Sequence, residues 1–319
     1  MQKIIPIHTY GFLLTPNFAL MSFSAAIEPL RAANWLAGNR IFGVHFFSLD
    51  GLPVKSSSGI EITCQALSEA GHIDTLFICA GGAPSNWQVA TRHRIRLQQM
   101  ARSGIRMGGI SSGAFVLASC HLLQNCDFTI HWEHAPLLME TFPDLQPRQT
   151  RFIIDGNRIT CGGGVAPLDM MHALISHHMG ADFARRVSDW HLHTQIAGEA
   201  APQRGSLAER YATRHPVLLR VIEKMEATIE EPISREVMAR FVGLSSRQLD
   251  RLFALHLKCS FQNLYRSIRL NHAKKLLEQS PLSVTEIAFA SGFASVAHFS
   301  RLYRQQFSLS PAATRRPSP

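Results

Sequence analysis

Gly109, Ser111 and Gly113 fit G-x-S-x-G, the pattern of a nucleophile elbow, in which a strand turns sharply into a helix and lifts one side chain to the sheet edge. The flanks agree. "SGIRMGGI" ends as a short buried strand, and "AFVLASCHLL" opens a helix. A serine so placed attacks a carbonyl when a histidine takes its proton and an acid orients the histidine. Asp127 with His131, or Asp169 with His172, gives the chain order Ser, acid, His. Only about 85 residues separate the elbow from the next boundary, however, which leaves little room for further strands and a substrate cap. The expected role is therefore binding: backbone N–H groups and the small side chains of Ser111 and Ser112 face a ligand carboxylate, at a helix N-terminus that favours anions. Hydrolase or amidase activity at Ser111 stands as the alternative.

The other polar clusters are less demanding. "HWEH" (131–134), "HH" (177–178) and "HLH" (191–193) lack H-x-x-x-H spacing on one helix face, so no metal site is expected, and no cofactor. "GGG" (162–164) reads as a tight strand-to-helix turn, since neither a G-x-G-x-x-G register nor a following acid is present. Asp169 opens a helix, where a carboxylate favours the dipole. The six cysteines show no C-x-x-C spacing and read as free thiols of a reducing cytoplasm.

These residues need elements to hold them. Up to residue 180, "YGFLLT", "GVHFFSL", "TLFICAG", "IRMGGI" and "NRITC" are short apolar runs bounded by Gly, Asp or Ser. Helical patterns lie between them at 19–36, 86–102, 132–140 and 167–178. Such alternation predicts an α/β domain: a parallel sheet with helices on both faces and its ligand site at the strands' carboxyl ends. One more helix follows at 181–196, then a small, polar, Pro-bounded linker over 197–216. From 217 to 319 only helices are expected. No run of about 18 apolar residues suggests a membrane span, and the N-terminal stretch reads as a strand and turn rather than a signal peptide.

Charge divides the chain at the same place. Residues 1–200 carry 14 Lys and Arg against 14 Asp and Glu, whereas 201–319 carry 18 against 9. The whole basic excess sits in the last third, which predicts a nucleic-acid partner for that part alone. The same part holds an internal repeat: "REVMARFVGLSSRQLDRLF" (235–253) and "TEIAFASGFASVAHFSRLY" (285–303) share Ala239/Gly243 and Ala288/Gly292. A small residue lets the second helix cross closely, and glycine supplies the positive φ of the turn, so each copy reads as a helix-turn-helix. Ser283 and Glu286 form a capping box opening the second copy. Arg251 and Arg301 project beside the anchoring Leu249 and Phe299 and are the expected base readers, with Arg247, Asp250, His298 and Ser300 next to them.

"ASGFASVAHFSRLYRQQFSLSPAATRR" resembles the C-terminal signature of the AraC/XylS transcription regulators, and "VGLSSRQLDRLFALHLKCSFQNLYRSIRLNHAKKLL" resembles their first helix-turn-helix and connecting helix. Ser308 departs from that family's usual glycine. "FLLTPNFALMSFSAAIEPLRAAN", "GGISSGAFVLA", "TIHWEHAPLLMETFP" and "CGGGVAPLDMMHALI" together resemble the PfpI-like domain of the class I glutamine amidotransferase superfamily, in the version fused ahead of AraC-type domains in regulators of amino-acid and quaternary-amine catabolism. The resemblance implies a flavodoxin-like sensor domain over 1–196 and a double helix-turn-helix over 217–319. It also implies a cytoplasmic regulator, expected to be an activator, with promoter DNA, a small-molecule inducer and RNA polymerase as partners, a homodimer as a further expectation, and no membrane. The enzymatic relatives' Cys, His and Glu positions fall on Ser111, His131 and Glu28, so the thiolate is replaced by a hydroxyl. The expected inducer carries a carboxylate and a positive nitrogen, as a betaine or basic amino acid does. Glu28, Trp35 seven residues later, and Trp132 between His131 and Glu133 are the expected cation contacts.

Overall fold

Aromatic and β-branched runs build one seven-stranded sheet in the computed structural model, which describes residues 8–280 and 282–315. In chain order the strands are β1 (His8–Leu14), β2 (Phe42–Ser48), a separate hairpin of β3 (Val54–Lys55) and β4 (Glu61–Ile62), β5 (Gln65–Ala66), β6 (Thr75–Ala80), β7 (Arg106–Ser111), β8 (Phe152–Asp155) and β9 (Arg158–Cys161). The large sheet runs β5-β2-β1-β6-β7-β9-β8. All its neighbours pair parallel except β8, which folds back on β9. The sheet is mostly parallel, as expected; its antiparallel edge gave no signal in the sequence, because Phe152–Asp155 is too short to stand out as a run, and Gly156, at φ 54°, turns it straight into β9.

Strand alternation feeds two cores. Phe77 and Cys79 of β6 face one side, covered by α1 (Leu20–Ala37), α5 (Ala166–Met179) and α6 (Ala181–Trp190). Leu76, Ile78 and Ala80 face the other, with residues of α2 (Thr91–Arg102), α3 (Gly113–Ser119) and α4 (Ala135–Thr141). The helix expected from 132 starts only at Ala135, because residues 131–134 form turns. Glycines let α3 come close: a Cβ on Gly113 would sit 1.9 Å from the Ile78 carbonyl oxygen, and one on Gly109 2.6 Å from the Ala114 nitrogen.

The chain forms two units, divided between Gln203 and Arg204. In the second, α7 (Leu207–Arg210) and α8 (Pro216–Ala227) precede the first helix-turn-helix, α9 (Arg235–Phe241) and α10 (Ser246–Leu252). A five-residue π turn follows, then α11 (Phe261–Gln279), the second pair α12 (Val284–Ala290) and α13 (Val296–Phe307), and α14 (Pro311–Arg315). Gly243 and Gly292 take φ of 72° and 74° in the two turns, while Ala239 and Ala288 are buried where the helices cross. Two apolar clusters result. Leu249 and Phe253 belong to the first and Phe299 and Tyr303 to the second, and α11 serves both: Phe261 and Tyr265 in one, Leu270 to Leu277 in the other.

Candidate functional site

Ser111 ends β7 with φ at 58°, the left-handed conformation a nucleophile elbow imposes. Three strand ends converge on it. Ala80 pairs with Ser111 in the sheet register, and the turn 162–164 after β9 brings Gly163 so close that a Cβ there would lie 2.8 Å from Ser111 Cβ. From α1 comes Ser22, whose Oγ accepts the Gly164 N–H at 2.8 Å and would lie 3.2 Å from the same Gly163 Cβ. Ser112 is fully buried, and its Oγ has no hydrogen-bond partner. The His131 N–H reaches the Ser111 carbonyl at 3.5 Å, so the segment carrying His131, Trp132 and Glu133 runs beside the elbow.

Glu28 and Trp35 do not join this cluster, contrary to expectation. They share a face of α1, but it is the outward one: Glu28 pairs with Arg31 at 2.7 Å, and Trp35 is 70% exposed. At about 100° per residue Glu28 stands roughly 120° around the helix from Ser22, whose face meets the turn before α5. Ser22 is the α1 residue that sequence reasoning missed; a lone serine in an apolar helix gives no signal.

The elements of a hydrolytic triad are engaged elsewhere. Asp127 forms a two-pronged pair with Arg148 at 2.8 and 2.9 Å, which lowers the carboxyl's pKa. Asp169, fully buried, holds Arg151, His193 at 3.2 Å and the Ala197 N–H at 2.8 Å. His172 Nδ1 contacts Ser188 Oγ at 2.9 Å. The His131 Nδ1 accepts the Glu133 N–H at 3.3 Å. No thiol substitutes for the serine: burial pushes Cys161 up to about 12 and Cys79 higher still. Among the described residues no group of three or more His, Cys, Asp or Glu could hold a metal ion, and no helix is long and apolar enough to cross a membrane.

In the second unit, Arg247 and Arg251 of α10 and His298 and Arg301 of α13 are exposed. Ser300 is half-buried and lines a groove with Ala297, Arg301, Arg304 and Gln305. Arg304 and Gln305, a turn beyond Arg301, were not singled out from sequence, because the first copy has no equivalent charge there. Asp250 differs from the reader expected of it: its carboxylate takes the Arg235 guanidinium at 2.9 Å, tying α10 to α9. Arg269 of α11 donates to the Ser291 and Gly292 carbonyls and lies 4.1 Å from the Phe293 ring centre, clamping the turn of the second pair.

Comparison with known proteins agrees with this division. Residues 11–177 match the DJ-1/PfpI family, and residues 238–317 match a helix-turn-helix domain. A crystal structure of an AraC family transcriptional regulator from Pseudomonas putida is similar, with TM-score 0.53 and 25% identity over 57% of this chain and 98% of that one. The HTH-type transcriptional regulator GlxA of Rhizobium meliloti (strain 1021) is 57% identical over 309 residues, 97% of this chain and 95% of its own length. The chain belongs to the AraC-type transcription regulators with a DJ-1/PfpI domain. GbdR of Pseudomonas aeruginosa, another HTH-type transcriptional regulator, is 39% identical over 97% of this chain and 84% of its own. Like these relatives, this AraC-type chain is a DNA-binding transcription regulator.

Proposed function

We propose that the first unit is a non-catalytic sensor whose elbow binds a small metabolite bearing a carboxylate and a cationic nitrogen, a betaine or a basic amino acid, and that binding activates transcription. One observation carries this reading: the Trp132 segment lies against an elbow that presents serines in place of a thiol. Ser111, Ser112 and Ser22 supply hydroxyls for the carboxylate. Trp132, with Glu133 beside it, supplies an aromatic face and a negative charge for the cation. α3 is only seven residues long, so the argument rests on these side chains rather than on its dipole. A hydroxyl at the elbow has no ionised population comparable to a thiolate's, which speaks against hydrolysis. RNA polymerase and a second copy of the chain are the further partners proposed, in the cytoplasm.

Calorimetric titration of glycine betaine, carnitine and arginine into the full chain tests the proposal. One of them should bind, and Trp132→Ala should weaken it by about 0.5–2 kcal/mol. Binding of a purely anionic metabolite instead, or unchanged affinity in Trp132→Ala, removes the cation pocket. An acyl-enzyme on Ser111 removes the non-catalytic reading.

A further inference from the structure

Gln203 sits in a run, "AAPQRGS", whose composition is that of a solvated linker, yet both ends of its side-chain amide are engaged. Its Oε1 accepts the Trp132 N–H at 2.8 Å. Its Nε2 lies 2.8 Å from each of the Ile130 carbonyl, the Thr150 carbonyl and Thr129 Oγ1, so three acceptors share two protons. The backbone follows the same line. Arg151 donates to the Ala201 carbonyl at 2.8 Å, and Gln203 donates to the Gln149 carbonyl at 3.3 Å, laying residues 201–203 along 149–151. Room for the amide depends on Gly162, where a Cβ would come within 2.5 Å of Gln203 Cδ. The shape and donor pattern fit glutamine specifically. Glutamate would bring an acceptor to two carbonyls, and asparagine is one carbon short.

We propose that Gln203 is a positioning residue of the ligand site and the latch through which that site acts on the DNA-binding unit. It fixes the backbone on both sides of His131, and the next residue, Arg204, begins the second unit. A ligand that shifts the backbone at Trp132 must therefore stretch or release the bond from its N–H to Gln203 Oε1. That changes where the tether to the recognition helices begins and how much of it is free. The dependence is reciprocal, because a ligand favouring one state of the latch is itself bound more tightly in that state. The proposal rests on the ligand reading above only for the side from which the signal enters.

Hydrogen exchange on the full chain tests it without any ligand. Gln203→Ala and Gln203→Glu should speed exchange by about tenfold both in 128–134 and in 197–206, leaving the sheet interior unchanged. Where those variants do not fold, Gly162→Ala expels the amide while keeping the residue, and the same paired increase is expected. A rise confined to 197–206, or one spread evenly over the first unit, overturns the proposal. With glycine betaine or arginine as probe, protection of 128–134 in the wild type should be accompanied by a change in 197–206 that Gln203→Ala abolishes. If neither probe binds, the ligand reading fails alone and the result without ligand still decides.

Discussion

Ser111 occupies a conformation that costs a residue with a Cβ about 1–2 kcal/mol, and the strain buys a hydroxyl held at the end of β7 beside Gly163 and Ser22. If that position serves binding and not catalysis, the wild type and Ser111→Ala should hydrolyse esters, amides and glutamine equally, at background, and bind DNA equally well; a fluorogenic ester assay and a mobility shift check both. The elbow was legible because its glycines are forced by close backbone contact and so leave a pattern. Ser22 left none; Glu28 rests on the enzymatic relatives' glutamate, and Trp35 on a seven-residue spacing that tells which residues share a helix face but not where that face points. A second residue-scale effect is acid sensitivity. Burial, the stacked His8 ring, His177 and Arg106 hold His178 at about 4, while Asp74 opposes them and Tyr10 contacts its Nε2 at 3.2 Å. The unfolded chain takes up this proton near 6.5, the folded one only near 4, so the first unit should lose stability as pH falls through that window. Thermal unfolding at pH 7 and pH 5 should show the loss, and a His178→Gln variant should show less of it.

Among the elements, the five strand runs read from sequence all form strands of the sheet, because doubly buried strands are continuous apolar runs. The edge strands β5 and β8 and the β3–β4 hairpin have two to four residues each and half-exposed patterns, so their sequences do not differ from loops. Helix pairs in the second unit were legible through their alanines and glycines. The missing family glycine at Ser308 has a structural cost: this residue caps α13 at φ 62°. Ser308→Gly should therefore stabilise the second unit by about 1 kcal/mol, visible as a higher unfolding temperature of its transition, with DNA affinity unchanged or slightly improved. An unchanged or lower temperature would mean that the serine is held by interactions worth as much as the strain.

For the whole molecule, the charge count alone separated a neutral unit from a basic one, and the observed division at Gln203–Arg204 lies inside the stretch read as linker. The part of that stretch up to Gln203 is stitched to the first unit by side-chain bonds that no composition reveals. One chain should protect two major-groove segments about 10 bp apart, in direct orientation because both modules run in the same sense along the chain. Within them, Arg301→Ala should cost about 1–3 kcal/mol and relax selectivity at a single base pair, as read by binding to a panel of substituted sites. Equal weakening on every sequence would make Arg301 a phosphate contact.

The helix α11 gives this footprint a further property. Because Phe261 and Tyr265 are cemented into one helix-turn-helix and Leu270 to Leu277 into the other, nineteen residues act as a ruler of about 28 Å with no joint in it. Tandem modules on a loose tether tolerate drift between their sites; a ruler does not. One base pair inserted between the two recognised segments displaces the second by about 3.4 Å and turns it by roughly a tenth of a revolution, so only one module at a time can dock. Promoters served by this regulator should accordingly vary in the letters between the two segments far more freely than in their number.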